Sequence, residues 1–317
     1  MNDVDHILTQ TSFWLKEKRR IALATVIQKW GSAPRGVGSK LLIDDLGNFE
    51  GSVSGGCVEG AVIGEASDLF KTRKPKILEY GVSNEMAWEV GLACGGELKV
   101  LIQPLNLEDE IVYSIVDSIK KRKTVKLKID CSNGDRIIDN TISNQISHFD
   151  KLNNEFIHII DPKPRLFIVG AVHIAQALVS LANVADYEII LIDPRDHFAT
   201  KDRFPNCKII NEWPDEALSK FHLDKSSHLV TLTHDPKIDD LALIFCMKKN
   251  FGYIGSLGSK KTHNKRCERL LEKGFNKIEL SKIHAPIGLD IKAKTPAEIA
   301  TSILAEIINY RRNNNEK

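Results

Sequence analysis

The sequence predicts an α/β protein in two parts: an N-terminal mixed α+β domain over residues 1–162, then a C-terminal Rossmann-like, doubly wound parallel sheet over residues 163–317. Three observations predict it. In the first half, short β-rich runs alternate with glycine loops. In the second, short apolar runs alternate with helical patterns, as a parallel sheet with crossover helices requires. Between them lie Asp161-Pro162 and Lys163-Pro164, and residues before proline favour extended linkers.

In the first half, Ile21 to Ile27 and Ser39 to Ile43 read as strands. The turn Asp45-Leu46-Gly47-Asn48 leads into Phe49 to Ser54 as a hairpin. Residues 57–71 place Val58, Val62, Ile63, Ala66 and Leu69 at helical spacing. Strands at about 76–81 and 97–104 enclose a second glycine loop. An amphipathic helix at 107–121 and a strand at 124–131, closed by Ser132-Asn133-Gly134-Asp135, follow. The rest of 105–162 carries little pattern.

In the second half, strands fall at Arg165 to Val169, Tyr187 to Ile192, Lys208 to Ile210, His228 to Leu232 and Tyr253 to Ser256. Helices lie between and after them at His173 to Asn183 and near 214–222, 236–249 and 260–273. The last helix is signalled by Thr295 as N-cap, Pro296 in the first turn and Glu298 completing a capping box.

Composition narrows the function. Charge is near balance at +2, so a nucleic-acid binder is not expected. The opening residues MNDVDHILTQ lack the basic and apolar regions of a secretory signal, and no apolar run reaches the ~20 residues of a membrane span. Six cysteines, scattered and without a CxxC pair, fit neither a disulfide framework nor a zinc site. The expectation is a reduced, cytoplasmic protein.

The strand ending at Val169 opens into Gly170-Ala171-Val172-His173-Ile174-Ala175, where a Rossmann fold keeps its phosphate loop, and Asp193 ends the next strand, where a carboxylate would hold a ribose hydroxyl. Val172 stands at the position where a glycine lets the backbone approach a pyrophosphate, which weighs against an NAD(P) dinucleotide in the standard pose. The alternative is a purely structural crossover. Arg195 is a candidate for holding a phosphate or is simply solvated. His234 and Asp235 follow a strand at the carboxyl edge, where ligands bind in such sheets. Gly258-Ser259 precedes Lys260 and Lys261, a basic pair at a helix start that opposes the helix dipole unless an anion offsets it.

In the first half, Gly55-Gly56-Cys57 puts a thiol at the expected start of a helix, where free N–H groups and the dipole would favour a thiolate. Cys94-Gly95-Gly96 repeats the pairing of thiol and glycines. Glycine beside each thiol leaves room for a bulky partner; the alternative is a buried, inert cysteine. Arg35, in the polar loop 31–39, suits bidentate phosphate contact or an ordinary loop.

Together these stretches resemble the XdhC/CoxI family, the xanthine dehydrogenase accessory proteins. The resemblance rests on GSAPRGVGSKLLI (31–43), GSVSGGCVEG (51–60), GLACGGELKV (91–100), LFIVGAVHIAQAL (166–178), IDPRDHFA (192–199), LTHDPKIDDLAL (232–243), YIGSLGSKKTHNKR (253–266) and the segment 283–307. It implies an accessory chaperone that binds the molybdenum cofactor (molybdopterin), protects it, and assists entry of its sulfurated form into a xanthine-dehydrogenase-type molybdenum hydroxylase. By the same resemblance, Cys57 and Cys94, with Gly55, Gly56, Gly95 and Gly96, lie near the cofactor. A protein thiolate is an apt molybdenum ligand or sulfur relay beside dithiolene sulfur. Arg35 or the lysines near 260 would meet the pterin phosphate. A cysteine desulfurase is a second implied partner, and a homodimer is the default assembly. The family's GAGHVG loop reads GAVHIA here, a departure that bears on nucleotide binding. The chain lacks the clustered cysteines of iron–sulfur centres and is too short for a complete xanthine dehydrogenase. Two other readings stay open: an NAD(P)-dependent oxidoreductase built on the C-terminal sheet, and a bridge between sulfur donor and target that never holds the cofactor.

Overall fold

The ten-residue strand β1 (Ile21–Trp30) is buried along its first seven residues, which requires cover on both faces of its sheet. In the computed structural model, which describes residues 3–33, 35–81, 96–139, 141 and 146–315, one helix covers one face, and a helix together with a second sheet covers the other. The chain divides into two compact units, one up to Pro162 and one from Lys163.

In the first unit, β1 lies between β2 (Lys40–Asp44) and β5 (Glu97–Pro104), with β3 (Phe49–Gly51) and β4 (Lys76–Tyr80) at the edges, all antiparallel. The β2–β3 turn is held by Asp44, whose carboxylate accepts the N–H groups of Leu46 and Asn48 at 3.0 and 2.8 Å, while Gly47 takes a φ of +84°. Helix α2 (Glu59–Thr72) buries Val62, Ala66, Leu69 and Phe70 against Ala22, Ala24, Leu41 and Ile43. On the other face sits α1 (Asp3–Lys16), a helix that the sequence reading passes over; it packs Ile7, Trp14 and Leu15 on Leu23 and Leu42. Helix α3 (Glu110–Lys120) starts at Asp109, whose side chain caps Val112. The pattern-poor stretch forms a second antiparallel sheet in the order β7-β6-β9-β8, from β6 (Val125–Asp130), β7 (Arg136–Asp139), β8 (His148–Asp150) and β9 (Glu155–Ile160). Its Leu127, Ile129 and Phe156 share a core with Ile27 and Leu101 of the first sheet.

The second unit is a six-stranded parallel sheet, ordered β12-β11-β10-β13-β14-β15. The strands are β10 (Arg165–Val169), β11 (Glu188–Ile192), β12 (Lys208–Ile210), β13 (Ser227–Thr231), β14 (Tyr253–Ser256) and β15 (Ile283–His284). Their near-continuous burial reflects helices on both faces. Helices α4 (His173–Val184) and α9 (Pro296–Asn315) cover one face; α5 (Pro214–Ser219), α6 (Pro236–Met247), α7 (Lys260–Glu272) and α8 (Lys277–Leu280) pack with the other. The α9 capping box is present: Thr295 Oγ1 accepts the Glu298 N–H at 3.3 Å, and the Glu298 carboxylate accepts the Thr295 N–H at 2.9 Å. Strand order reverses direction between β10 and β13, the place where open α/β sheets bind ligands. No helix among the described residues is long and apolar enough to cross a membrane.

Candidate functional site

Between β3 and α2 the chain folds around one carboxylate. Glu59 Oε1 accepts the backbone N–H groups of Val53, Ser54 and Gly55 at 3.0, 2.8 and 3.2 Å, and Oε2 accepts that of Gly56 at 2.9 Å. The Ser52 and Ser54 hydroxyls donate to the same group at 2.6 and 2.5 Å. Ser54 Oγ in turn accepts the N–H groups of Cys57 and Val58, both at 2.9 Å. The result is a nest of amides closed on an internal anion. Glu59 is buried at 8% exposure. Burial alone would raise its pKa, but the bonds from Ser52, Ser54 and the backbone outweigh it and hold the carboxyl at about 2.

This geometry corrects the sequence expectation for Cys57. The helix begins at Glu59 with Val58 as N-cap, so the thiol lies before it, and the nearby N–H groups are taken by Glu59 and Ser54. The anion this loop stabilises is the Glu59 carboxylate. Cys57 itself is exposed, the one exposed cysteine among the described residues. Cys131, Cys207, Cys246 and Cys267 are buried or half-buried, and burial pushes each of their thiols up. The neighbouring glycines serve conformation first. Gly55 and Gly56 have φ of +88° and +119°, and a Cβ on Gly56 would meet nothing within 4 Å.

Arg35 joins this loop: its Nε donates to the Ser52 carbonyl at 3.2 Å. Gly96 fills a tight backbone approach, since a Cβ there would lie 3.0 Å from the Trp30 carbonyl oxygen and 3.1 Å from the Ala33 nitrogen. Cys94 and Gly95 lie outside the described residues. Among the described residues, no three His, Cys, Asp or Glu side chains gather where a metal ion would be held.

In the second unit, Asp193 is fully buried at the end of β11. Its carboxylate accepts the Ala171 N–H at 2.8 Å, the Arg195 N–H at 3.0 Å, and Arg195 Nε and Nη2 at 2.8 and 2.7 Å. Burial raises its pKa, but the Arg195 bonds prevail and the carboxyl ends below its ordinary value. Two expectations change here. Asp193 presents no free oxygen to a ribose, and the Arg195 guanidinium is engaged by Asp193. Gly170 has φ +112°, and a Cβ would fall 2.6 Å from Thr233 Cγ2, so the loop passes the chain just beyond β13 where only glycine fits. His173 is exposed at the start of α4, behind Val172, an N-cap without a capping side chain. His234 is exposed at φ +63°. Asp235 and Ser259 serve as caps, accepting the N–H groups of Lys237 and Thr262 at 2.9 and 3.2 Å, and Gly258 takes φ +140° before α7.

Comparison with known proteins follows the same two units. Residues 14–81 match the profile of the XdhC and CoxI family, and residues 166–307 match the XdhC Rossmann domain. A protein of Bacillus subtilis described as a probable xanthine dehydrogenase subunit is 32% identical over 94% of this chain and 95% of its own. The chain belongs to the XdhC and CoxI family. Another relative of this XdhC-type chain, the molybdenum cofactor insertion chaperone PaoD of Escherichia coli, is 27% identical over 91% of this chain and 83% of its own. A crystal structure described as a xanthine dehydrogenase from Bacillus halodurans superposes with a TM-score of 0.78 at 28% identity, covering 99% of this chain and 96% of that one. In this XdhC and CoxI family member, sequence reasoning missed Glu59. The available signal was an acidic residue in the first turn of a helix behind two serines, a capping pattern.

Proposed function

We propose that this chain is an accessory chaperone that holds the molybdenum cofactor and hands it, in sulfurated form, to a molybdenum hydroxylase. The observation that carries the reading is the exposed Cys57, presented by a loop that Glu59 clamps in place, in a family member related to a molybdenum cofactor insertion chaperone. A maturation role agrees with that relative's name. Cys57 is the proposed soft contact for molybdenum or its terminal sulfur. Open space around Gly56 leaves that approach clear. Arg35 stands behind the loop as a fixed positive charge suited to the cargo's phosphate. Cys94, with Gly95, is proposed to act beside Cys57 on the strength of the matching motif alone.

The test is to purify the full chain from a host that makes the cofactor and to measure molybdenum and oxidised-pterin fluorescence per chain. Wild type is expected to carry both. Cys57→Ala is expected to lose them, and to lower activation of the target, while keeping the wild-type circular dichroism spectrum. Wild type without molybdenum or pterin under anaerobic handling overturns the reading. Target maturation that survives Cys57→Ala and Cys94→Ala together instead favours a bridge that never touches the cofactor.

A further inference from the structure

At the carboxyl edge of the parallel sheet, the start of α6 and the first turns of α7 face each other across a cleft of about 250 Å³. His234, Asp239 and Asp240 line one side, and Lys261, Lys265, Arg266 and Arg269 line the other. Four cations therefore face two carboxylates, and both carboxylates are engaged. Asp240 binds the Arg269 guanidinium through two bonds, 2.6 and 3.0 Å long. Asp239 accepts the Thr233 hydroxyl at 2.6 Å and the N–H groups of Thr233 and His234 at 3.3 and 3.1 Å.

Three cations remain, opposed by the single charge of Asp239, which acts on Arg266. Lys261 and Lys265 make no ion pair among the described residues, although Lys261 sits in the first turn of α7, where a positive charge opposes the helix dipole. Arg266 is the telling one. It is 2% exposed, and one of its nitrogens, Nη2, donates to the Leu257 carbonyl at 2.9 Å. Its Nε and Nη1 are buried without a hydrogen-bond partner. A buried guanidinium with idle donors is costly, and buried donors of this kind ordinarily have a partner in protein, water or a bound ion.

We infer that this cleft is a binding site for the phosphate group of a phosphate ester. A tetrahedral dianion supplies several acceptor oxygens at once: Lys261 and Lys265 neutralise it from the rim, and Arg266 beneath reaches it with a small turn of its guanidinium. The Thr262 hydroxyl, 3.0 Å from Ser259 Oγ at the helix start, stands on the same wall. The cleft is smaller than the roughly 300–1,000 Å³ of pockets that enclose a whole drug-sized ligand, so it takes the phosphate end and leaves the rest of the ester outside. Placement next to the sheet's switch point is where such folds collect ligands. The inference rests on residues of the second unit alone and does not depend on the chaperone reading.

The experiment is calorimetric titration of the full chain, at fixed ionic strength, with inorganic phosphate and separately with adenosine monophosphate. Wild type is expected to bind phosphate saturably at a single site. The Lys261→Ala, Lys265→Ala double variant, altered at the cleft rim, is expected to bind about tenfold or more weakly with an unchanged melting temperature in phosphate-free buffer. Arg266→Met, which keeps the volume and removes the charge, is expected to abolish binding. Adenosine monophosphate bound no more tightly than phosphate assigns the site to the phosphate group alone; tighter binding, lost in the same variants, assigns it to a nucleotide. No saturable binding in wild type, or equal binding in wild type and the double variant, overturns the inference.

Discussion

Glu59 shows how one side chain shapes a functional loop. Four consecutive amides and two hydroxyls converge on its carboxylate, so the path of Ser52 to Val58, and with it the place of Cys57, follows from a single charge. Glutamine keeps the shape but replaces one acceptor oxygen with an NH2 that faces donors. Glu59→Gln is therefore expected to destabilise the chain by about 2 kcal/mol, read from the urea midpoint, and to reduce cofactor retention although Cys57 is intact. A variant as stable as wild type would show that the nest does not hold the loop. Because Glu59 ionises at about 2 in the folded chain against an ordinary 4.5, its contribution is full above 4.5 and fades as pH falls toward 2. The variant is expected to lose that part of the acid response.

At the scale of elements, the β10–α4 connection decides what the Rossmann-like sheet can bind. Gly170 lets the chain pass over Thr233, and the next amide, Ala171, is tied to Asp193, which is tied in turn to Arg195. The carboxylate that a dinucleotide would need is thus part of the loop's own scaffold. Val172 has φ −86° and ψ 176°, a backbone that any residue adopts, so the loop's conformation does not call for a glycine there. Val172→Gly is expected to leave NADH fluorescence unchanged on mixing, as in wild type. An enhanced or quenched NADH signal in the variant would show that the side chain at 172, rather than the Asp193–Arg195 pair, is the barrier.

At the scale of the whole molecule, stability against pH exposes a buried charge. Lys40 lies at 2% exposure where the two sheets of the N-terminal unit meet, and its Nζ donates to Thr25 Oγ1 at 3.2 Å. His158, from the second sheet, is buried beside it. Burial first, and then the Arg136 charge, bring the Lys40 pKa from 10.5 to about 7. Between those values the unfolded chain holds a proton that the folded chain has released, so stability rises with pH from about 7 to about 10.5. Lys40→Met removes the group, and its denaturation midpoint is expected to be higher at pH 7 and flatter across that range. A wild-type midpoint that is level from pH 7 to 10 would contradict this account of Lys40. Below neutrality His158 acts in the same sense. Burial, then the Lys40 charge, hold its pKa well under 6.5, so its contribution falls as the pH drops below that value.

Patterns that depend on neighbours in sequence are legible without coordinates. The βα alternation, the capping box at Thr295 and Glu298 and the Asp44–Asn48 turn arise from local spacing and local hydrogen bonds, so the order of residues is enough to specify them. The same holds for family membership, because ordered motifs need no geometry. Other features depend on residues far apart in the chain. Helix α1 carries its apolar face to a sheet whose strands arrive later, and the β6–β9 sheet pairs strands too short and too mixed to announce themselves. Asp193 lies where the sequence suggests, at the end of β11, and Cys57 lies two residues before α2 rather than in its first turn; the chemistry of both is settled by what reaches them first. Arg195 and the Ala171 amide occupy the one, and Glu59 takes the amides expected for the other. Such competition is resolved in the folded chain alone, since a carboxylate or an amide has few hydrogen-bonding places and whichever partner the fold brings within about 3 Å fills them.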